Sequence, residues 1–222
     1  MGRCRWRFVK NPLALPEFKP TAVLVVGPTG SGKTPLGQWL QEHGLWGRRC
    51  CHFDFGERLR QIVATGACQL LTPQEISFLR SVLVRGALLE DEHLSIAERI
   101  LRAFIAEQQI GERDVVLLNG LPRHVGQADA IEAIVQTQAV IELACSPEVV
   151  IERIRTNTGG DRARRVDDGI EQVRSRLRLY NHRTEPLLAH YRRLGVRIET
   201  VIIDPATTAA DVAHVLNEPG GQ

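Results

Sequence analysis

Short apolar runs alternate along the chain with amphipathic stretches, and this alternation predicts the fold. Five runs are rich in aliphatic and β-branched residues, as expected for strands buried on both faces of a parallel sheet. They span residues 21–26, 50–54, 115–118, 139–144 and 199–203. Strands that alternate with helices in this way predict an α/β fold with a five-stranded parallel sheet flanked by helices.

Helices are predicted between these strands from capping residues and from apolar residues at three- and four-residue spacing. Thr72 with Glu75 three residues later is a good helix start, and Ser146 is another. Residues 57–109 are helical in pattern almost throughout. Within and beyond them, helices are predicted over residues 35–43, 92–105, 130–135, 171–191 with a break near Pro186, and 209–216.

The composition is that of an ordinary folded chain. Of its 222 residues, 43% are hydrophobic and 24% are charged, which excludes a disordered chain and fits one globular domain. No apolar run approaches the roughly 20 residues that a membrane helix needs. The formal net charge of +2 argues against general nucleic-acid binding. We therefore expect neither a nucleic acid nor a membrane as a partner.

The cysteines and the start of the chain bear on its location. The five cysteines are odd in number and form no C-x-x-C pair, so we expect reduced thiols, no zinc site and a cytoplasmic protein. Residues 1–20 are basic and contain prolines, and they lack the apolar stretch of a secretory signal. They are interpreted as a flexible leader.

The basic residues are unevenly divided between the two side chains. Only three of the 28 are lysines, and Lys33 is the only lysine after residue 20. Arginine suits planar, bidentate recognition of phosphate or carboxylate. A genome with GC-rich codons would also favour arginine, so the imbalance by itself identifies no site.

A glycine-rich sequence after the first predicted strand is typical of phosphate-binding loops. Residues 27–34 fit the pattern G-x-x-x-x-G-K-[ST]. Glycines let the backbone N–H groups approach a phosphate closely, and the positive end of the next helix adds to the attraction. A lysine here serves the β- and γ-phosphates, and the hydroxyl that follows it can bind Mg²⁺. The predicted ATP site comprises Gly27, Pro28, Thr29, Gly30, Ser31, Gly32, Lys33 and Thr34.

Three further motifs follow the phosphate loop in a fixed order. Residues 52–60 read His-Phe-Asp-Phe-Gly-Glu-Arg-Leu-Arg. Residues 119–123 read Asn-Gly-Leu-Pro-Arg, with Gln127 downstream. Residues 165–168 read Arg-Val-Asp-Asp, with Arg176 downstream. Together with the loop, these motifs resemble those of the adenylate kinase family of nucleoside monophosphate kinases, over about residues 21–216.

The resemblance implies a fold and an activity. The fold would be that of the P-loop NTPases, with a core over residues 21–54 and 110–222. A helical monophosphate-binding insert would occupy residues 55–109, and a short lid residues 155–168. The activity would be transfer of the γ-phosphoryl group of ATP to AMP or another nucleoside monophosphate, with Mg²⁺. Short-lid members of the family are commonly monomers, so a monomer is expected.

The resemblance also implies roles for single residues. Arg60 and Arg123 would bind the acceptor phosphate, and Gln127 its base. Phe55 stands where the family has a threonine that contacts the base, and an aromatic ring there would stack on a base or close the pocket. Arg153 would stack on the adenine of ATP. The implied catalytic residues are Lys33, Arg60, Arg123, Arg165 and Arg176.

Two departures from the family pattern concern the metal. Asn119 stands where the family has an aspartate associated with the waters of Mg²⁺, and Glu57 replaces another aspartate. Asp54, at the end of the second predicted strand, is an addition to the common pattern. We hypothesise that Asp54 compensates for Asn119, and the candidate metal residues are Thr34, Asp54 and Glu57. The alternative for Asp54 is a solvated carboxylate at a strand end.

Two other functions remain open from the sequence. One is a P-loop kinase of a hydroxyl-bearing small molecule, with Asp54 as the base that accepts the hydroxyl proton. The other is a non-catalytic module that senses nucleotides, because the aspartate expected at position 119 is missing. The pair of Arg60 and Arg123 argues against a hydroxyl acceptor, since two arginines suit an anionic group.

Overall fold

The computed structural model describes residues 16–66, 68, 70–86, 89–161 and 170–217. Within them, five strands form one parallel sheet in the order β2-β3-β1-β4-β5. The strands are β1 (Thr21–Val26), β2 (Cys50–Asp54), β3 (Val115–Asn119), β4 (Gln136–Ala144) and β5 (Arg197–Ile202). The predicted α/β fold is confirmed. β4 begins three residues earlier than predicted, because the exposed Gln136 and Gln138 interrupt the apolar pattern there.

Helices connect the strands and cover both faces of the sheet. Those in the described ranges are α1 (Lys33–His43), α2 (Phe55–Thr65), α3 (Pro73–Arg85), α4 (Leu94–Gln108), α5 (Val125–Glu132), α6 (Pro147–Thr156), α7 (Ile170–Leu179), α8 (Pro186–Arg193) and α9 (Ala209–Asn217). A 3₁₀ turn, Asp91–His93, precedes α4. None of these helices is both long enough and apolar enough to cross a membrane.

The capping predictions are confirmed. The Thr72 side chain accepts from the Glu75 backbone, and the Glu75 side chain accepts in return from the Thr72 backbone. Ser146 caps α6 by accepting from the backbone N–H of Val149 at 3.3 Å. The predicted break near Pro186 is also present, as a π-helical segment, Tyr180–Thr184, that joins α7 to α8.

The prediction of a helix over residues 130–135 is wrong in extent. The helix observed, α5, begins at Val125 and ends at Glu132. Its first half has the polar residue Gln127 at a buried position, so the sequence there does not show the apolar pattern of a buried helix face. Ile134 and Val135 are apolar because they enter the core in a turn that leads into β4, not because they continue the helix.

The core lies on both sides of the sheet, and β1 is buried along its whole length. Because successive side chains of a strand point to opposite faces, Leu24 packs in the cluster on one face and Val23 in the cluster on the other. The central position of β1 places its carboxyl end, where the phosphate loop begins, in the middle of one edge of the sheet.

α4 packs on the sheet as a core helix does. Its predicted apolar stripe is buried, and the ring of Phe104 lies 5.1 Å from that of Phe53 on β2. On the same helix, Glu107 accepts from Arg58 of α2 at 3.0 Å, in a pair that is largely shielded from solvent. α4 therefore connects the sheet to α2, the first helix of the predicted insert.

Candidate active site

A cavity of about 220 Å³ opens at the carboxyl ends of β1, β2 and β3. Ligands of parallel α/β sheets bind at this edge, where loops and helix N-termini converge. The phosphate loop forms one wall, α2 and α3 form a second, and α7 with the π-helical segment forms a third. The polar lining residues include Lys33, Thr34, Asp54, Arg60, Asn119, Arg123, Arg176, Tyr180 and Thr184.

The phosphate loop has the strand-loop-helix context that its sequence pattern requires. Gly30 and Gly32 have φ angles of 81° and 102°, which favour glycine. A Cβ on Gly30 would also lie 2.9 Å from Cγ1 of Ile154, so the loop fits tightly against α6. α1 begins directly at Lys33, whose Nζ donates to the carbonyls of Gly27 and Pro28 at 2.8 and 2.7 Å.

Thr34, Asp54 and Asn119 meet in a polar cluster on the floor of the cavity. The Thr34 hydroxyl donates to Asp54 Oδ2 at 2.6 Å. Asn119 Nδ2 lies 2.9 Å from the same carboxylate oxygen and 3.2 Å from Thr34 Oγ1. The other carboxylate oxygen, Oδ1, accepts from the backbone N–H of Glu57 at 2.8 Å and so caps α2. Asp54 is therefore not a solvated strand-end carboxylate.

Glu57 does not join this cluster. Its carboxylate accepts from Arg60 Nε at 3.0 Å and from Gln61 Nε2 at 3.2 Å, and it does not line the cavity. Within the described ranges, no group of three or more His, Cys, Asp or Glu side chains is placed to hold a metal ion. Thr34 and Asp54 still suit Mg²⁺, which takes oxygen ligands from one or two protein side chains and completes its shell with phosphates and water.

Among the described residues, four basic side chains line the cavity, and all four were predicted. Lys33 comes from α1, Arg60 from α2, Arg123 from the loop after β3, and Arg176 from α7. The surrounding protein lowers the pKa of Arg123 by desolvation, and Asp54 opposes this shift. Arg165 and the rest of the predicted motif at 165–168 lie outside the described residues, as do residues 1–15 of the predicted leader.

Phe55, one of the predicted substrate residues, lines the cavity, and its contact with an acceptor stays a prediction. Its side chain is buried, and its ring lies 6.1 Å from that of Phe53, so it belongs to the core as well as to the cavity wall. Leu59, Val82, Leu83 and Leu89 make the same side of the cavity apolar.

Gln127 has a different place from the one predicted for it. It is 1% exposed and does not line the cavity. Its Oε1 accepts from the backbone N–H of Arg123 at 2.8 Å, and its Nε2 donates to the carbonyl of Leu89 at 2.7 Å. Since both ends of the amide are used by the backbone, this arrangement does not support a contact with an acceptor base.

Arg153 is 4% exposed and lies beneath the phosphate loop. Its Nε donates to the carbonyl of Gly30 at 3.1 Å, and its Nη1 donates to the carbonyls of Asp204 and Thr207, both at 2.8 Å. Burial lowers its pKa. Arg153 thus joins the phosphate loop to the loop that follows β5. The stacking of Arg153 on an adenine stays a prediction.

The π-helical segment contributes two polar cavity residues that were not among the predicted site residues. Tyr180 and Thr184 line the cavity from the π-helical segment, and Thr184 Oγ1 donates to the carbonyl of Arg123 at 2.8 Å. In a π-helix the backbone hydrogen bonds join residues five apart instead of four. The side chains of this segment therefore do not follow the α-helical periodicity from which helix faces are predicted. Tyr180 follows Arg176 by four residues, within the stretch that carries the fourth motif, but the sequence indicated no role for it, and nothing marked Thr184.

Comparison with known proteins agrees with this geometry. The family model described as Adenylate kinase matches residues 25–196. An adenylate kinase of Parvibaculum lavamentivorans is 30% identical over 192 residues, which cover 81% of this chain and 82% of the relative. One of Nitrobacter winogradskyi is 30% identical over 214 residues, covering 89% and 94%. One of Synechococcus sp. is 34% identical over 182 residues, covering 78% and 86%.

The family model matches most of the chain, including β2, β3 and β4, the phosphate loop and the helices that form the cavity. The five-stranded parallel sheet, with the loop after its central strand, agrees with the P-loop NTPase fold expected from the sequence. The protein is therefore a member of the adenylate kinase family.

Proposed function

We propose that the protein transfers the γ-phosphoryl group of ATP to the phosphate of AMP or of another nucleoside monophosphate, with Mg²⁺. It is thus a phosphotransferase with a phosphate group as acceptor, the activity of the family to which it belongs. The observation that carries the proposal is the convergence of Lys33, Arg60, Arg123 and Arg176, from four separate elements, on one cavity beside the phosphate loop.

Two anionic nucleotides must be brought together for this reaction. Two like unit charges 4 Å apart repel by about 4 kcal/mol at an effective dielectric constant of 20, and each nucleotide carries several charges. The basic side chains offset this repulsion. Lys33 and the loop N–H groups serve the ATP phosphates, Arg60 and Arg123 the acceptor phosphate, and Arg176 the group in transfer.

Mg²⁺ is the metal that this chemistry requires, and Thr34 and Asp54 are the residues that would hold it. When bound, the ion would neutralise the negative charge that develops on the phosphates during transfer. Asp54 accepts a hydrogen bond from the Thr34 hydroxyl, which directs the proton away and leaves the oxygen able to serve as a ligand. We leave Glu57 out of the metal site, because its carboxylate is bound to Arg60.

The predicted division into core, insert and lid also enters the proposal. α4 packs on the sheet, so the moving part of the insert would consist of α2 and α3 and not of all residues 55–109. Closure of this part over the cavity, with a lid at residues 155–168, would exclude water and so limit hydrolysis of ATP.

A hydroxyl-bearing acceptor is less compatible with the site. That reaction needs a base, and Asp54 is the candidate. Both oxygens of Asp54 already accept hydrogen bonds, Oδ1 from Glu57 and Oδ2 from Thr34 and Asn119. A phosphate acceptor is already ionised and needs no base, so the arrangement favours it.

One assay separates the three functions. ADP formation from ATP and Mg²⁺ is measured with a panel of nucleoside monophosphates and with sugars and polyols as hydroxyl acceptors, with Lys33→Ala as the inactive control. Turnover that depends on a monophosphate supports the proposal. Turnover with a hydroxyl acceptor alone would contradict it, and ATP binding without any turnover would favour a sensor.

A further inference from the structure

Asp54 and Asn119 are direct neighbours in the register of β2 and β3. Both side chains line the cavity, together with Thr34. Asp54 Oδ2 accepts from the Thr34 hydroxyl at 2.6 Å and lies 2.9 Å from Asn119 Nδ2. Asn119 is only 5% exposed, so its amide depends on protein partners. A carboxylate and an amide thus share the floor of the cavity.

The orientation of the Asn119 amide follows from its neighbours. An ionised carboxylate can only accept hydrogen bonds, so the amide nitrogen and not the amide oxygen must face Asp54. His52 Nε2 lies 3.5 Å from the same nitrogen. Asn119 therefore supplies a donor to Asp54, and no carboxylate at position 119 could do so when ionised.

Asp54 fixes the direction of the Thr34 hydroxyl group. Its single hydroxyl proton points to Asp54 Oδ2, because that oxygen is the acceptor at 2.6 Å. Asn119 Nδ2 donates to the same Oδ2 at 2.9 Å and also lies 3.2 Å from Thr34 Oγ1. As long as Asp54 is held, the remaining electron pair of the Thr34 oxygen is available to a cation in the cavity.

We propose that Asn119 is the positioning residue of this site, and that its amide orients Asp54 so that Asp54 in turn orients the Thr34 hydroxyl for Mg²⁺. The inference rests on the proposed function in one respect, namely that a nucleotide with Mg²⁺ occupies the cavity. It follows that the carboxylate and the amide can be exchanged as a pair between positions 54 and 119, whereas replacement of either one alone is harmful.

Four variants test the proposal: Asn119→Leu, Asn119→Asp, Asp54→Asn, and the double variant Asp54→Asn with Asn119→Asp. The measurement is calorimetric binding of a non-hydrolysable ATP analogue, with Mg²⁺ and in its absence. The readout is the factor by which Mg²⁺ tightens binding. Loss of the hydrogen-bond partner of a metal ligand typically costs 10- to 100-fold, so we expect Asn119→Leu to lose about 10-fold of this factor.

Metal-free binding of the analogue should stay within about 3-fold of wild type in Asn119→Leu, because in this proposal the Asn119 amide acts on the nucleotide only through Asp54 and the metal. Asn119→Asp and Asp54→Asn should each lose at least as much of the Mg²⁺ factor, since the first places two carboxylates side by side and the second removes the carboxylate. The double variant again has one carboxylate and one amide, and it should recover most of the Mg²⁺ factor.

Several results would overturn the inference: a full Mg²⁺ factor in Asn119→Leu, a double variant no better than Asp54→Asn alone, or a wild type whose binding Mg²⁺ does not tighten. Thermal unfolding without metal identifies any variant that fails to fold, in which case Asn119→Ala, which also removes the donor, replaces Asn119→Leu. Binding is read without phosphoryl transfer, so a failure of the proposed function on all monophosphates leaves this test readable.

Discussion

The two sides of the cavity are held in different ways. On the side of the phosphate loop, the basic side chains are held by hydrogen bonds to backbone carbonyls. Lys33 Nζ donates to two loop carbonyls, and Arg153 holds Gly30 from below while it binds two carbonyls of the loop after β5. On the side of α2, Arg60 is 44% exposed, and its described partner is Glu57, three residues earlier in the same helix.

This difference corresponds to two tasks. A triphosphate presents the same group in every turnover, so a fixed set of N–H groups and cations can be organised before it binds. In the reaction that we propose, the acceptor phosphate is bound by side chains of α2 that can move as the acceptor enters and leaves. The apolar residues around Phe55 complete that side without fixed polar partners for the ligand.

Arg123, which we assign to the acceptor side, has a backbone that is held at both its N–H and its carbonyl. Its backbone N–H donates to Gln127, and its carbonyl accepts from Thr184. The two arginines that we assign to the acceptor phosphate thus differ. Arg123 is positioned through its backbone, whereas Arg60 is free to exchange Glu57 for a phosphate.

Loss of the loop lysine should have the largest effect. We expect Lys33→Ala to lower kcat about 1,000-fold, or roughly 4 kcal/mol, because it removes a preorganised charge at the transferring group. The measurement is the steady-state rate of ADP formation with AMP at saturation. Lys19→Ala removes a lysine that donates to the carbonyl of Glu132 outside the cavity, and its rate should match wild type. A loss of kcat below 10-fold in Lys33→Ala would contradict the proposal that Lys33 is a preorganised charge at the transferring group.

Arg123→Ala should affect the acceptor and spare the donor. We expect kcat/KM for the monophosphate to fall about 100-fold, or roughly 2.7 kcal/mol, with the affinity for an ATP analogue nearly unchanged. The matched control is Arg174→Ala on α7, whose side chain is bound to Glu171 and does not line the cavity. A fall in ATP affinity equal to the fall in kcat/KM would erase the distinction between the two sides.

Gln127→Leu tests whether the backbone of Arg123 is held by this amide. The substitution leaves the N–H of Arg123 and the carbonyl of Leu89 without their partner, and each buried unsatisfied group costs about 1–3 kcal/mol. We expect urea denaturation to show a loss in that range. Gln74→Leu, at an exposed position of α3, should change stability by less than about 0.5 kcal/mol. Equal stabilities for the two variants would contradict the view that the Gln127 amide holds the backbone of Arg123.

The smallest effect is expected from Glu57→Gln, which weakens the pair with Arg60. Exposed ion pairs are worth about 0–1 kcal/mol, so KM for the monophosphate should fall by no more than about 5-fold as Arg60 becomes easier to recruit. Glu152→Gln weakens a similar pair with Arg155 on α6 and should leave this KM unchanged. A changed requirement for Mg²⁺ in Glu57→Gln would instead return Glu57 to the metal site.

Much of this architecture could be predicted from local sequence. The strands were marked by apolar runs and the helix starts by Thr72 and Ser146, because burial and capping depend on few neighbouring residues. The phosphate loop was marked by glycines that the backbone requires. The helix over 130–135 was misplaced because Ile134 and Val135 are buried by the turn into β4, which a helical pattern does not reveal.

The partners of the polar side chains were beyond the reach of the sequence. The role of Arg153 depends on a loop some fifty residues away in the chain, and that of Gln127 on Leu89, which lies between α3 and α4. Asp54 and Asn119 could each be singled out, but only the register of β2 against β3 brings them together. Such contacts arise from tertiary packing, and no local pattern encodes them.

In the reaction that we propose, both sides of the cavity act on one phosphoryl group. The direct measurement is a single-turnover experiment with ATP labelled in the γ-phosphate, excess enzyme, Mg²⁺ and AMP. We expect the label to appear in the β-phosphate of the ADP formed from AMP, at a rate that rises with AMP and is lost in Lys33→Ala. Label released only as inorganic phosphate, at a rate independent of every monophosphate, would contradict the claim.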